Sequence, residues 1–213
     1  MCKLENVQMC KLEKCVNFHL SPLSHSPIYP FAHLTHLLMR KVKLFIATSL
    51  DGFIADKNGG IDWLFTDQDY GYADFYASID TTLTGYKTYE DILGFGEFPY
   101  PGKTNYVFSR HHQQADHNPV TFIATDIAGF VRQLKQQPGQ DIWLVGGGQI
   151  NEVMLQAGLI DVLIVSIHPV VLGEGRPLFA GHAGRQDFKL MASKAFASGL
   201  VQLTYQVKNS RGG

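Results

Sequence analysis

Short runs rich in β-branched and aromatic residues recur along this chain with helical segments between them. That alternation limits the possible architecture more than any other feature. Residues 42–48, 81–84, 105–108, 120–124, 142–145 and 162–167 read as strands. Residues 67–79 place Tyr72, Phe75, Tyr76 and Ile79 at helical spacing, and residues 88–93 form a short helix closed by Gly94. A third helix is expected over 126–137, with Asp126 at its N-cap and Pro138-Gly139 beyond its end, and a fourth over 149–157. Strand–helix–strand units favour parallel pairing, because the crossover returns the chain to the same end of the sheet. Residues 188–196 and 201–207 straddle Ser198-Gly199, a hairpin signal, so the sheet should close on an antiparallel edge. The expected class is α/β: a twisted, mainly parallel sheet with an antiparallel C-terminal hairpin.

The first 38 residues do not share this pattern. They hold a near-duplicate, Met1-Cys2-Lys3-Leu4-Glu5 and Met9-Cys10-Lys11-Leu12-Glu13, followed by a proline-rich stretch from Ser21 to Pro30. Cys2, Cys10 and Cys15 are the only cysteines, and no C-x-x-C unit, nor any histidine pair set off from a cysteine pair at zinc-finger spacing, is present, so no metal site is expected. Residues 1–38 read as a poorly ordered extension and 39–213 as one domain. With 17% charged residues and a formal net charge of −1, the chain lacks the basic field of a nucleic-acid binder. No apolar run reaches the length of a membrane span. A body without cysteines suits a reducing cytoplasm.

Chemistry is suggested where strands meet helices. Gly146-Gly147-Gly148 follows the strand at 142–145 and opens a helix. Either a tight strand-to-helix turn or a ligand pressed against the main chain would account for a run of three residues so costly to order. It is not the dinucleotide fingerprint, whose third glycine position is Asn151 here. Thr84-Gly85-Tyr86-Lys87-Thr88-Tyr89 repeats the strand–glycine–helix arrangement with a lysine and a hydroxyl, and Phe108-Ser109-Arg110 ends another strand with a hydroxyl and a guanidinium. Both sets suit phosphate oxygens.

Together with Ala47-Thr48-Ser49-Leu50-Asp51-Gly52-Phe53-Ile54-Ala55, Pro101-Gly102-Lys103 and the stretch from Val162 to Phe179, these motifs resemble the dihydrofolate reductase superfamily. Within it, the run from Val162 to Phe179, which includes His168-Pro169-Val170-Val171-Leu172-Gly173, resembles the reductase domain of bifunctional riboflavin-biosynthesis deaminase-reductases. The resemblance implies a three-layer fold with helices on both faces and NADPH lying across the strand ends. It implies that Gly147, Gly148, Gln149 and Ile150 line the nicotinamide and pyrophosphate, and that Gly85, Lys87 and Thr88 hold the pyrophosphate. Ser109 and Arg110 would face the adenosine and its 2′-phosphate, and Ala47 and Ile54 would flank the nicotinamide. It places Asp51 at the catalytic position, in preference to Asp67, Asp69 or Asp74, and Ser166 and Arg176 near the substrate.

Trp63, Phe65, Tyr70, Tyr72 and Tyr89 are candidates for a planar-ring pocket, with Trp63 marking the substrate loop. Residues 39–213 lack the cysteines of a zinc deaminase, so that half-reaction is not expected of them. The function expected is NADPH-dependent reduction of a small pterin- or pyrimidine-like heterocycle by a homodimer. The alternative is a non-catalytic nucleotide-binding module of the same fold.

Overall fold

The computed structural model describes residues 39–110, 119–181 and 184–208. Ten strands and four helices follow in the order β1 (Val42–Thr48), β2 (Phe53–Ala55), α1 (Tyr72–Ala77), β3 (Ile79–Gly85), α2 (Tyr86–Gly94), β4 (Thr104–Phe108), β5 (Val120–Ile123), α3 (Ile127–Gln136), β6 (Asp141–Gly146), α4 (Gly148–Gln156), β7 (Val162–Ile167), β8 (Arg176–Pro177), β9 (Phe188–Ala195) and β10 (Val201–Val207). Eight of the strands form one sheet in the order β5-β4-β3-β6-β1-β7-β10-β9, and β2 and β8 form a separate two-stranded ribbon. Pairing is parallel from β5 to β7, and β10 and β9 then run antiparallel. The α/β class, the parallel sheet and the closing hairpin therefore stand as the sequence implies.

The central strands of the sheet are buried on both faces, and β6 shows how. Ile142 and Leu144 are fully buried in one cluster with Val131 of α3 and Met154 of α4. The alternate residue, Trp143, points to the opposite face, where it joins Phe75 of α1, Ile79 and Tyr100. Period-two alternation thus sends aliphatic residues to one layer and aromatic residues to the other. The resulting arrangement has three layers.

The start of the domain is fixed by charge. Arg40 is 5% exposed, pairs with Asp80, and donates from Nε to the Gln140 carbonyl (2.5 Å) and from a terminal nitrogen to Thr81 Oγ1 (2.6 Å). A buried guanidinium is tolerated only when its donors are met in this way.

The helix expected over 67–79 is shorter than its spacing suggested. Tyr70 (φ 52°) and Gly71 (φ 83°) adopt left-handed backbone, so helix begins only at Tyr72, and Ile79 already belongs to β3. Asp69 organises that break, accepting hydrogen bonds from the Gly71 and Ala73 amides (both 3.0 Å). Asp126 caps α3 as expected, accepting from the Gly129 amide at 2.9 Å. The ribbon strands β2 and β8 are too short to show a period and had no counterpart in the sequence reading. The cysteines and the duplicated N-terminal segment lie outside the described residues.

Candidate active site

The parallel strands β1, β3, β4, β5 and β6 all end on the same side, and a cleft of about 1240 Å³ opens there. That exceeds the roughly 300–1,000 Å³ usual for a site holding one small molecule. Four strand spacings of about 4.8 Å carry it roughly 19 Å across the sheet. A site of that length suits an extended ligand with a second molecule beside it.

At the β4–β5 end, the lining is Ser109 and Arg110 from the end of β4 and Ile123 from β5. Next come Gly85, Lys87 and Thr88, where β3 becomes α2, and Gly147, Gly148, Gln149 and Ile150, where β6 becomes α4. Neither α2 nor α4 has a side-chain cap or an acidic residue in its first turn, in contrast to α3 with its Asp126. Two helices therefore present uncapped N-terminal amides to the cleft, each carrying the positive end of a helix dipole.

The glycine run has reasons within the protein for being bare. A Cβ on Gly147 would stand 2.8 Å from Thr88 Oγ1, and one on Gly148 would collide with the Pro177 carbonyl oxygen. The Ala180 amide also donates to the Gly148 carbonyl at 3.1 Å. The turn is thus clamped between α2 on one side and the segment from β8 to Ala180 on the other. Close backbone approach, rather than conformational freedom alone, selects glycine here. The peptide between Gly146 and Gly147 is cis.

The far end is aromatic. Phe45 and Ala47 of β1, Trp143 and Val145 of β6, Tyr72 of α1 and Tyr100 line it. Trp143 meets Tyr100 edge-on at 4.9 Å and Tyr72 at 5.9 Å between ring centroids. Burial, above all, pushes the Tyr100 phenol well above its ordinary pKa, and burial raises Tyr72 as well. The β2–β8 ribbon forms the opposite wall with Ile54 and Arg176, and Arg176 pairs with Asp91 of α2. A turn at Asp56 supports this wall. Its carboxylate accepts from the Gly60 (2.8 Å) and Asn58 (2.7 Å) amides, which hold it below the usual carboxylate range.

Ala47, Ile54 and Arg176 lie on the cleft, as do all the strand-end residues expected from sequence. Asp51, Ser166 and Trp63 do not line it. The Asp51 carboxylate instead accepts from Ser49 Oγ (2.6 Å) and from the Gly173 (2.8 Å) and Leu172 (3.2 Å) amides, and the Ser49 bond leads these in lowering its pKa. Ser166 Oγ accepts from Gln202 Nε2 at 3.1 Å, within the β7–β10 pairing. Trp63 stands edge-on to His168 at 5.2 Å, and Phe65 tilts against the same ring at 5.0 Å.

Of the other acids considered, Asp67 accepts from the Tyr70 hydroxyl (2.6 Å) and none lines the cleft. Tyr70 packs on Phe196 and Tyr89 on Phe122. The sequence reading missed Tyr100, Phe45 and Asp91. Tyr100 sits in a loop rich in glycine and proline, where no periodicity marks an inward residue.

A parallel sheet with this cleft across its strand ends defines a dihydrofolate-reductase-like fold. Its outline matches the dihydrofolate reductase of Enterococcus faecalis at a TM-score of 0.58, with 18% identity over 79% of this chain and 97% of that one. The chain belongs to the RibD C-terminal domain family, whose model matches residues 40–202. It is 40% identical over 182 residues to the uncharacterized protein YyaP of Bacillus subtilis (strain 168), spanning 80% of this chain and 96% of YyaP. Among solved structures it is similar to a Shewanella sp. PV-4 protein named for riboflavin biosynthesis, at 28% identity and a TM-score of 0.71, covering 79% of this chain and 99% of the other. This membership supports a reductase-type function. Among the described residues no helix is long and apolar enough to cross a membrane, and no group of three or more His, Cys, Asp or Glu side chains could hold a metal.

The Trp63–His168–Phe65 cluster has a consequence for stability. His168 is 4% exposed, with Nδ1 3.2 Å from the Ser166 carbonyl, and burial holds its pKa below the ordinary value of 6.5. The unfolded chain therefore binds this proton first as pH falls through 6.5, and the folded state loses stability from there down to the lowered pKa. Urea unfolding of wild type at pH 7 and pH 5.5 should show this loss, and His168→Gln should flatten that part of the pH dependence. An unchanged slope in the variant would contradict the assignment.

Proposed function

We propose that this protein is an NADPH-dependent reductase that transfers a hydride to a small pterin- or pyrimidine-like heterocycle. The observation that carries the reading is the pair of uncapped helix N-termini, α2 and α4, side by side on a cleft with Lys87 and Arg110 at the same end. Backbone amides at a helix start and a nearby cation form a ready anion site. In this reading Gly85, Lys87 and Thr88 hold the pyrophosphate, and Gly147, Gly148, Gln149 and Ile150 follow it towards the nicotinamide. Ser109 and Arg110 receive the adenosine 2′-phosphate, and Ala47 and Ile54 border the nicotinamide. The Enterococcus faecalis dihydrofolate reductase with the same fold was solved with NADP(H).

The bound cofactor supplies two electrons and a hydrogen as hydride. The protein positions the acceptor ring and excludes water from the apolar end. Asp51 is assigned a supporting part, since its hydrogen bonds fasten the loop at residues 172–173 to the turn after β1. Arg176 borders the substrate from the ribbon.

We further propose a homodimer formed through β9. It is an eight-residue edge strand whose Leu190 and Met191 are 51% and 53% exposed. An apolar open edge of that length is normally covered. Light scattering should give twice the chain mass, and a monomer at micromolar concentration would exclude this arrangement.

The cofactor assignment is tested by titrating wild type and Arg110→Ala with NADPH and NADH. Loss of a charge-assisted phosphate contact should weaken NADPH about 10- to 100-fold and leave NADH unchanged. Equal losses for both would count against the placement of the 2′-phosphate. Tight NADPH binding with no turnover of any pterin or pyrimidine would favour the non-catalytic binding module instead.

A further inference from the structure

Tyr100 is 8% exposed and lines the cleft, yet no described residue accepts a hydrogen bond from its hydroxyl. The hydroxyl oxygen is itself still open to solvent, so it faces the cleft, where a water or a ligand can meet it. The ring itself is rigidly placed, edge-on to Trp143 (4.9 Å) and to Phe98 (5.3 Å). It therefore presents a fixed donor beside the Trp143 ring, with Phe45 lining the same end of the cleft.

Charge at this end is neutralised before any ligand arrives. Arg176 is paired with Asp91, and the Asp56 carboxylate lies near enough to feel its charge. The lysines of the surrounding aromatic layer are occupied elsewhere. Lys103 Nζ donates to the Tyr76 (2.9 Å) and Ile79 (2.7 Å) carbonyls, and Lys43 Nζ pairs with Asp141 at 2.8 Å. Arg110 stands at the end of β4, three strand spacings or roughly 14 Å from β1, beyond the reach of its side chain. Lys87 is exposed at the start of α2, where the cofactor phosphates are placed. An anionic substituent at the aromatic end would thus lose its hydration without gaining an uncommitted cation.

Building on the reductase reading above, we infer that the ring reduced in this cleft is neutral and phosphate-free and lies among Phe45, Tyr100 and Trp143, with the Tyr100 hydroxyl as donor to its acceptor nitrogen. Hydride addition at the ring carbon opens its C=N bond and leaves the electron pair on nitrogen. The Tyr100 O–H bond then breaks, its proton goes to that nitrogen, and the phenolate takes a proton back from water at the cleft mouth. Like an ordinary phenol, Tyr100 is protonated throughout the neutral range, and burial shifts its pKa further upward.

The probes are 6-methylpterin and pterin-6-carboxylate, one ring system in neutral and anionic form, titrated by fluorescence into protein saturated with NADP⁺. Wild type should bind the neutral ring about tenfold more tightly than the anion. Tyr100→Phe should lose about three- to tenfold in affinity for 6-methylpterin with NADP⁺ affinity unchanged. Asp91→Asn should release Arg176 and improve binding of the carboxylate. The inference is overturned if the carboxylate binds wild type as well as the neutral ring, if Tyr100→Phe binds 6-methylpterin like wild type, or if 6-methylpterin does not bind at millimolar concentration. Failure of NADP⁺ itself to bind wild type would instead sink the reductase reading on which the inference rests.

Discussion

The close approach of Gly148 to the Pro177 carbonyl is the contact on which the site depends. It leaves no room for a Cβ, and the Ala180 amide locks it by bonding to the Gly148 carbonyl. Through it the N-terminus of α4 is joined to the ribbon strand β8, which carries Arg176. Gly175, just before that strand, is packed equally tightly against the Ala55 carbonyl of β2. One main-chain contact therefore sets both the helix end and the wall opposite the aromatic floor. The bare backbone of the glycine run is first a requirement of this packing, and the same geometry leaves the amides of α4 open to a ligand.

From that frame the cleft acquires two unlike ends. The parallel sheet brings the starts of α2 and α4 together, and nothing in either first turn offsets their dipoles. The β4 end adds a guanidinium. Two and three strands away, aromatic residues from β6 and β1 turn inward, and the nearest cation is already paired. In the proposed reading, a dinucleotide takes the first environment and a neutral ring the second. This polarity follows from topology and pairing, because either set of residues alone would be an ordinary helix start or an ordinary aromatic core.

Much of this was legible in the sequence, for specific reasons. Strands such as 142–145 end in residues whose chemistry is local, so Gly147, Lys87 and Arg110 could be placed from the strand–helix alternation and the motif resemblance. Asp126 announced itself by position before an amphipathic run. Asp51 shows the limit. The resemblance put Asp51 at the catalytic position, but only the fold reveals that its carboxylate is engaged by Ser49, Leu172 and Gly173, the last two more than a hundred residues away. Trp63 likewise turns to His168 because of a contact that spans the chain. Tyr100 was hidden by its loop, and β8, two residues long, carries no periodic signal at all.

A crystal structure of the protein grown with NADPH tests the central claim most directly. The account expects one cofactor per chain, with its pyrophosphate against the amides at the starts of α2 and α4. Its 2′-phosphate should lie beside Arg110 and its nicotinamide next to Ala47 and Ile54. A cleft without cofactor density at saturating NADPH, or a cofactor bound with its phosphates away from both helix starts, would contradict it.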